Sequence, residues 1–103
     1  MYEQGIAVLR NHKTAVKWYT KAAEQGHAAT QNTLGYMYDY GRGVAKNHKT
    51  AVKWYTLAAE QDLVQAQHTL GYNYEKGIGV LTNYKIAVKW YTKSAGFSIL
   101  NIA

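Results

Sequence analysis

Apolar residues recur along this chain at helical spacing, in two alternating stripes of different character. Thr30, Leu34 and Tyr38 fall four residues apart, as do Ala66, Leu70 and Tyr74. Each set lies on one face of an amphipathic helix, over roughly 27–40 and 63–76. Between them Ala51, Trp54, Tyr55, Ala58 and Ala59 form a denser stripe, with Val52 at its edge. It predicts a second kind of helix opening at Asn47, whose side-chain oxygen suits an N-cap. Asn11 and Asn83 stand before the same stripe and are expected to cap it likewise. The tryptophans Trp18, Trp54 and Trp90 sit on the stripe beside small alanines and are expected to be core.

Gly41-Arg42-Gly43-Val44 separates the two helices. A glycine just past a helix end closes it in the left-handed conformation without a Cβ clash. Glycines at this spacing also occur in phosphate-binding loops. Here no strand precedes them and no Gly-Lys-Ser/Thr follows, so the segment reads as a helix stop. Gly26 ends one second helix, and Asp62 takes its place in the next as a poorer stop. Gly35 and Gly71 lie mid-helix, at a cost of about 1 kcal/mol each against alanine. That position implies close approach of the partner helix.

These elements repeat. NHKTAVKWYT runs from Asn11 to Thr20 and again, unchanged, from Asn47 to Thr56, and NYKIAVKWYT follows from Asn83 to Thr92. Each copy begins 36 residues after the last. Tyr2, Tyr38 and Tyr74 keep that register, as do Gly5, Gly41 and Gly77. A fixed period of this length across the chain means a stack of like units, each burying its apolar face on its neighbours.

The strings LGYMYDYGRGVAKN and HKTAVKWYTLAAEQ make the unit specific. They resemble the Sel-one-like repeat (SLR), a relative of the tetratricopeptide repeat. The family pattern falls on Ala66, Leu70, Gly71, Tyr74, Gly77, Gly79, Val80 and Asn83, then on Ala87, Trp90, Tyr91, Lys93 and Ala95. A plain tetratricopeptide repeat has a shorter period, about 34 residues. The resemblance covers essentially the whole chain and implies an all-α fold, a right-handed α-solenoid of antiparallel helix pairs. It also implies a non-enzymatic scaffold that binds proteins, with first helices lining the concave side and second helices the convex side. The chain departs from the pattern in places. Asn stands where the family prefers Asp, Ala7 replaces the second loop glycine of the first copy, and Ser94 and Gly96 alter the last helix end.

The division expected is a partial repeat at 1–26 lacking most of its first helix, complete repeats at 27–62 and 63–98, and the start of a further helix at 99–103. Phe97, Ile99, Leu100 and Ile102 make the C-terminal end apolar, whereas a terminal cap is polar outside. The open ends therefore suggest a longer array, or pairing with another copy into a homo-oligomer.

Opposite the Leu34/Tyr38 stripe lie Asn32, Tyr36, Asp39 and Tyr40, and one repeat on His68, Tyr72, Glu75 and Lys76. With Glu3 they give the expected groove a row of acids beside tyrosines, repeated at roughly 10 Å, the packing distance of helices. A peptide or protein segment carrying basic or aromatic side chains suits it. The second helices put Lys13, Lys17 and Lys21, Lys49 and Lys53, and Lys85, Lys89 and Lys93 on the opposite face. These are eight of the twelve basic residues, and they account for the net charge of +6. An acidic partner on this ridge is the alternative, as is a repeat fragment that accompanies an enzyme and binds nothing itself. Nucleic acid is disfavoured, because the ridge has few arginines and no exposed aromatic residue among its lysines.

Catalytic and metal chemistry find no foothold. Among His12, His27, His48 and His68 no pair has the i, i+4 spacing that sets two ligands on one helix face. There is no cysteine, hence no disulfide framework and no thiolate metal site. Ser94 replaces an alanine on the buried stripe and has no base beside it. No cofactor or small-molecule substrate is inferred. No apolar run approaches the ~20 residues that span a bilayer, and Met1-Tyr2-Glu3-Gln4 does not open like a signal peptide.

Overall fold

The computed structural model describes residues 2–96, with side-chain environments from residue 11 onward. Five α-helices occur among them: α1 (Tyr2–Glu24), α2 (Ala28–Tyr40), α3 (His48–Ala59), α4 (Val64–Lys76) and α5 (Tyr84–Ser94). No strand occurs among the described residues. α2 packs on α3 and α4 on α5, while α1 contacts α2 and α3 contacts α4. Short connections between neighbours give antiparallel helix pairs stacked in chain order.

Caps fix where the helices begin. The Asn47 side chain accepts from the Thr50 N–H at 3.0 Å, and that of Asn83 from the Ile86 N–H at 3.1 Å. His27 caps α2 through Nδ1, which accepts from the Thr30 N–H. Asn11 departs from expectation, because it lies inside α1 rather than at a helix start. The loop glycines Gly43 and Gly79 hold φ at +78° and +75°, and Ala7 stands at their position. A Cβ disfavours that conformation, and an alanine is the best helix former. The helix runs on through the place where the other repeats turn.

The core is built between repeats. Val16, Ala23, Leu34 and Met37 form one buried cluster, with Tyr38, Val44 and Trp54 packed against it. Ala51, Val52, Tyr55, Ala58, Ala59, Ala66, Leu70 and Trp90 form a second. Each cluster joins the second helix of one repeat to the first helix of the next. The tryptophans diverge from the expectation of a uniform core. Trp90 is only 6% exposed, Trp54 is half-buried, and Trp18 is 57% exposed. A tryptophan here is buried by the repeat that precedes it. Among the described residues Trp18 has no such repeat.

Two buried glutamines bind the stack where apolar patterning gave no hint of them. Gln31 donates to the Ala23 carbonyl at 3.1 Å, and Gln67 to the Ala59 carbonyl at 3.2 Å. Each amide adds a second hydrogen bond to a carbonyl that already accepts from the turn after its helix, from the Gly26 N–H at Ala23 and the Asp62 N–H at Ala59.

Asp62 ends α3 with φ at +68°, where Gly26 in the equivalent turn has +91°. A Cβ built on Gly26 meets nothing within 4 Å, so the cost at Asp62 is backbone strain rather than crowding. Left-handed backbone costs an ordinary residue about 1–2 kcal/mol and aspartate less. Asp62→Gly is expected to stabilise the chain by about 0.5 kcal/mol after the added freedom of the unfolded glycine is counted. Thermal unfolding by circular dichroism should show a rise of about 2–4 °C, and a fall would contradict the strain.

Candidate functional site

The spacing of each helix pair is set by a tyrosine lying on a glycine. A Cβ added to Gly35 would stand 2.8 Å from the Tyr55 ring, and one added to Gly71 would stand 2.9 Å from that of Tyr91. The expected close approach at Gly35 and Gly71 is thus to an aromatic ring. At the far end of each ring the hydroxyl reaches an acid of the first helix. Tyr55 donates to Asp39 Oδ2 at 3.1 Å, and Tyr91 donates to Glu75 Oε1 at 2.7 Å. His48 Nδ1 meets the other Asp39 oxygen at 2.7 Å. The first-helix acids therefore fasten helix to helix.

Burial and the Asp39 carboxylate both raise the pKa of Tyr55. Tyr91 is pushed up to about 12 by burial and by its hydrogen bond to Glu75. Each phenol is held in its neutral, donating form.

Around this framework lies a concave cavity of about 490 Å³. Of the residues expected at the groove it gathers Tyr36, Asp39, Tyr40, His68 and Tyr72. Tyr36, Tyr40 and Tyr72 are 47%, 59% and 46% exposed, and the rings of Tyr36 and Tyr40 lie 4.4 Å apart. Asn32 and Glu75 do not line it. Glu75 sits alongside, where Lys76 approaches its free oxygen at 3.9 Å. The side chain of Glu3 falls outside the described residues. Lys46, His48 and Asn73 line the cavity without having been expected. His48 belongs to the second helix, and only folding brings it over Asp39. Asn73 occupies the position of Met37 and is buried, and its Nδ2 has no partner. The polar residue at an apolar register was the signal for it in the sequence.

The His48–Asp39 contact resembles half of an acid–base relay, but a relay also needs a nucleophile. Thr69, the cavity's one aliphatic hydroxyl, bonds back to the Gln65 carbonyl. No group of three or more potential metal ligands occurs among the described residues.

Of the expected ridge, Lys13, Lys17, Lys49, Lys53, Lys85 and Lys89 are all exposed. The ridge does contain an aromatic residue, contrary to expectation. Lys17 and Lys21 stand over the Trp18 ring at 5.6 and 5.0 Å, and Lys89 and Lys93 stand over Trp90 at 5.1 and 5.4 Å. Flanking lysine stems shield the indole edge while the charges stay in water.

The Sel1 repeat model matches residues 1–27, 28–63 and 64–95. The chain belongs to the Sel1 repeat family. A Sel1 repeat protein from Oxalobacter formigenes is 48% identical, with a TM-score of 0.80, over 82% of this chain and 34% of that one. A protective antigen of uropathogenic Escherichia coli with an SLR fold is 43% identical at the same TM-score, over 82% of this chain and 18% of that one. Cysteine-rich protein B of Helicobacter pylori, 21% identical, shares the fold with a TM-score of 0.76 over 92% and 86% of the two chains. No curated protein matches. The chain thus spans about a third and a fifth of the first two of these structures. Sel1 repeat proteins are in general non-catalytic scaffolds for protein interactions. Among the described residues no helix is long and apolar enough to cross a membrane.

The raised tyrosines give the Sel1 fold an alkaline limit. Tyr91 titrates near 10.0 when unfolded and near 12 when folded, so between those values the unfolded chain has released a proton the folded chain keeps. Stability from this group is complete below pH 10 and falls as pH rises toward 12. Urea midpoints should be flat through neutral pH and drop above pH 10. The drop should be shallower in Tyr91→Phe. An unchanged slope in that variant would show that Tyr91 does not carry the effect.

Proposed function

We propose that this chain is a single Sel1 array whose concave groove holds an extended segment of another protein. Tyr36, Tyr40 and Tyr72 supply contact surface, and Asp39 and Glu75 supply charge. The observation that carries this reading is the exposure of three tyrosines around one cavity, over a hydrogen-bonded framework that holds their helices rigid. Tyrosine gives large contact area at low entropic cost and a hydroxyl for polar pairing. Each acid already accepts one hydrogen bond from a tyrosine, yet a carboxylate has about four acceptor sites. Basic side chains of a ligand would meet the remainder, and its aromatic side chains the tyrosine rings. Asn32 would extend the same face toward the N-terminal end.

The test is selection of displayed peptides on the immobilised chain, followed by titration of the recovered peptides. Tyr36→Ala with Tyr72→Ala removes groove surface without touching the core. Loss of binding by about 10-fold or more, roughly 1.4 kcal/mol, with an unchanged unfolding midpoint, is the expected result. Equal binding by the double variant would overturn the reading.

One observation favours a second reading, an acidic partner on the lysine ridge. The exposed Trp18 between Lys17 and Lys21 adds a stacking surface to the charge. Retention on heparin or single-stranded DNA that falls with salt, and is lost in Lys49→Glu with Lys53→Glu, Lys85→Glu and Lys89→Glu, would support it. Elution of the native chain at the same salt as that variant would remove it.

A further inference from the structure

The repeat places Asn73 where Met37 stands one unit earlier. Met37 is 8% exposed and packs in a cluster with Val16, Ala23 and Leu34. The same residue types, Val52, Ala59 and Leu70, stand 36 residues on in the second cluster. The seat of Asn73 is therefore an apolar one that suits a methionine, yet it holds an amide. Asn73 is 2% exposed, and its Nδ2 has no hydrogen-bond partner among the described residues. A buried donor left unpaired costs more than the hydrogen bond it could make contributes. The backbone gives no reason for the exchange, because the Asn73 carbonyl already accepts from the Gly77 and Ile78 N–H groups at the end of α4. Those two bonds hold the residue in the wall of the groove cavity, which it lines.

We propose that Asn73 is the point at which the groove grips the main chain of its bound segment, with Nδ2 donating to a backbone carbonyl. The assignment rests on the reading of the groove as a peptide site and names what one of its side chains recognises. Rotation about the last side-chain torsion, which is broad for an amide, turns Nδ2 toward the cavity. The lining selects the acceptor. Asp39 is the one carboxylate that lines the cavity and Lys46 the one ammonium, so their charges cancel. Both Asp39 oxygens are engaged, by His48 and Tyr55. A ligand carboxylate at Asn73 would share the cavity with Asp39, a like charge, whereas a carbonyl brings no charge. An extended segment offers a carbonyl at every residue, and each one taken out of water needs a donor. Tyr36, Tyr40 and Tyr72 line the same cavity and are exposed. The tyrosines then select the side chains of the segment, and Asn73 fixes the register of its main chain.

The experiment measures stability and binding together, with peptides recovered by selection on the native chain. Asn73→Met installs the residue of the equivalent seat. It should raise the urea midpoint, because the unpaired donor is gone, and weaken peptide binding by about 10-fold, the worth of one hydrogen bond. Replacing each peptide carbonyl in turn by a thiocarbonyl, a weaker acceptor, then locates the contact. One position should weaken binding to the native chain several-fold and change nothing in Asn73→Met, the non-additivity that marks a direct contact. A lower midpoint in Asn73→Met would show that the amide already has a partner in the free chain, and it overturns the proposal. Equal binding by Asn73→Met does the same. If Tyr36→Ala with Tyr72→Ala still loses binding, the groove reading survives that result; if it does not, both fall. Weaker binding with no coupled carbonyl makes Asn73 a packing residue and also overturns the proposal. So does coupling to an acidic side chain of the peptide, read by its amide variant, or to a peptide N–H, read by N-methylation.

Discussion

The contact of Tyr55 with Gly35, repeated by Tyr91 on Gly71, is the constraint on which the rest of this structure depends. A tyrosine ring lies against the one position of the facing helix that has no side chain, which sets how closely each pair can approach. The ring length then carries the hydroxyl across the pair to Asp39 or Glu75, so contact and hydrogen bond fix the pair at two points. With the pair rigid, its remaining apolar residues point along the stack. Leu34 and Leu70 become fully buried only when the preceding second helix arrives with Val16 and Ala23, or with Ala51 and Ala58. Pairing within a repeat and stacking between repeats are therefore successive uses of the same geometry.

This arrangement changes the meaning of the acids on the concave face. Free in solvent they would form a simple negative row. Tied to Tyr55 and Tyr91 they belong to the scaffold, and Tyr36, Tyr40 and Tyr72 are left as the exposed aromatic surface around the cavity. Asp39 is the clearer case, with both oxygens engaged by His48 and Tyr55. Glu75 retains more freedom, because Tyr84 replaces histidine at the equivalent of His48. The two repeats therefore present related but unequal acids.

Stacking also explains why equal residues do not end in equal places. In a one-dimensional array the interior of each repeat is completed by its neighbours. Trp18, Trp54 and Trp90 share a sequence context and differ in the repeat stacked before them, and their exposure falls in that order. Val16, Val52 and Val88 differ in the repeat stacked after them, and the last is the exposed one.

Much of this was legible in the chain alone. The period, the helix pairs, the Asn47 and Asn83 caps, the turn glycines and the small residues under a large ring are local or periodic signals, and a single sequence with internal copies displays them plainly. That Tyr36, Asp39, Tyr40, His68 and Tyr72 share one surface was likewise readable from helical phase. What phase cannot give is the partner of a side chain sixteen residues away or in the next repeat. The bonds from Tyr55 to Asp39 and from Gln31 to Ala23, the arrival of His48 over the groove and the orphan amide of Asn73 come from packing between helices. The α1 helix running through Asn11 and the exposure of Trp18 arise for a related reason. Burial and capping depend on neighbours, and a residue type repeated in sequence keeps its role only where its neighbours are repeated too.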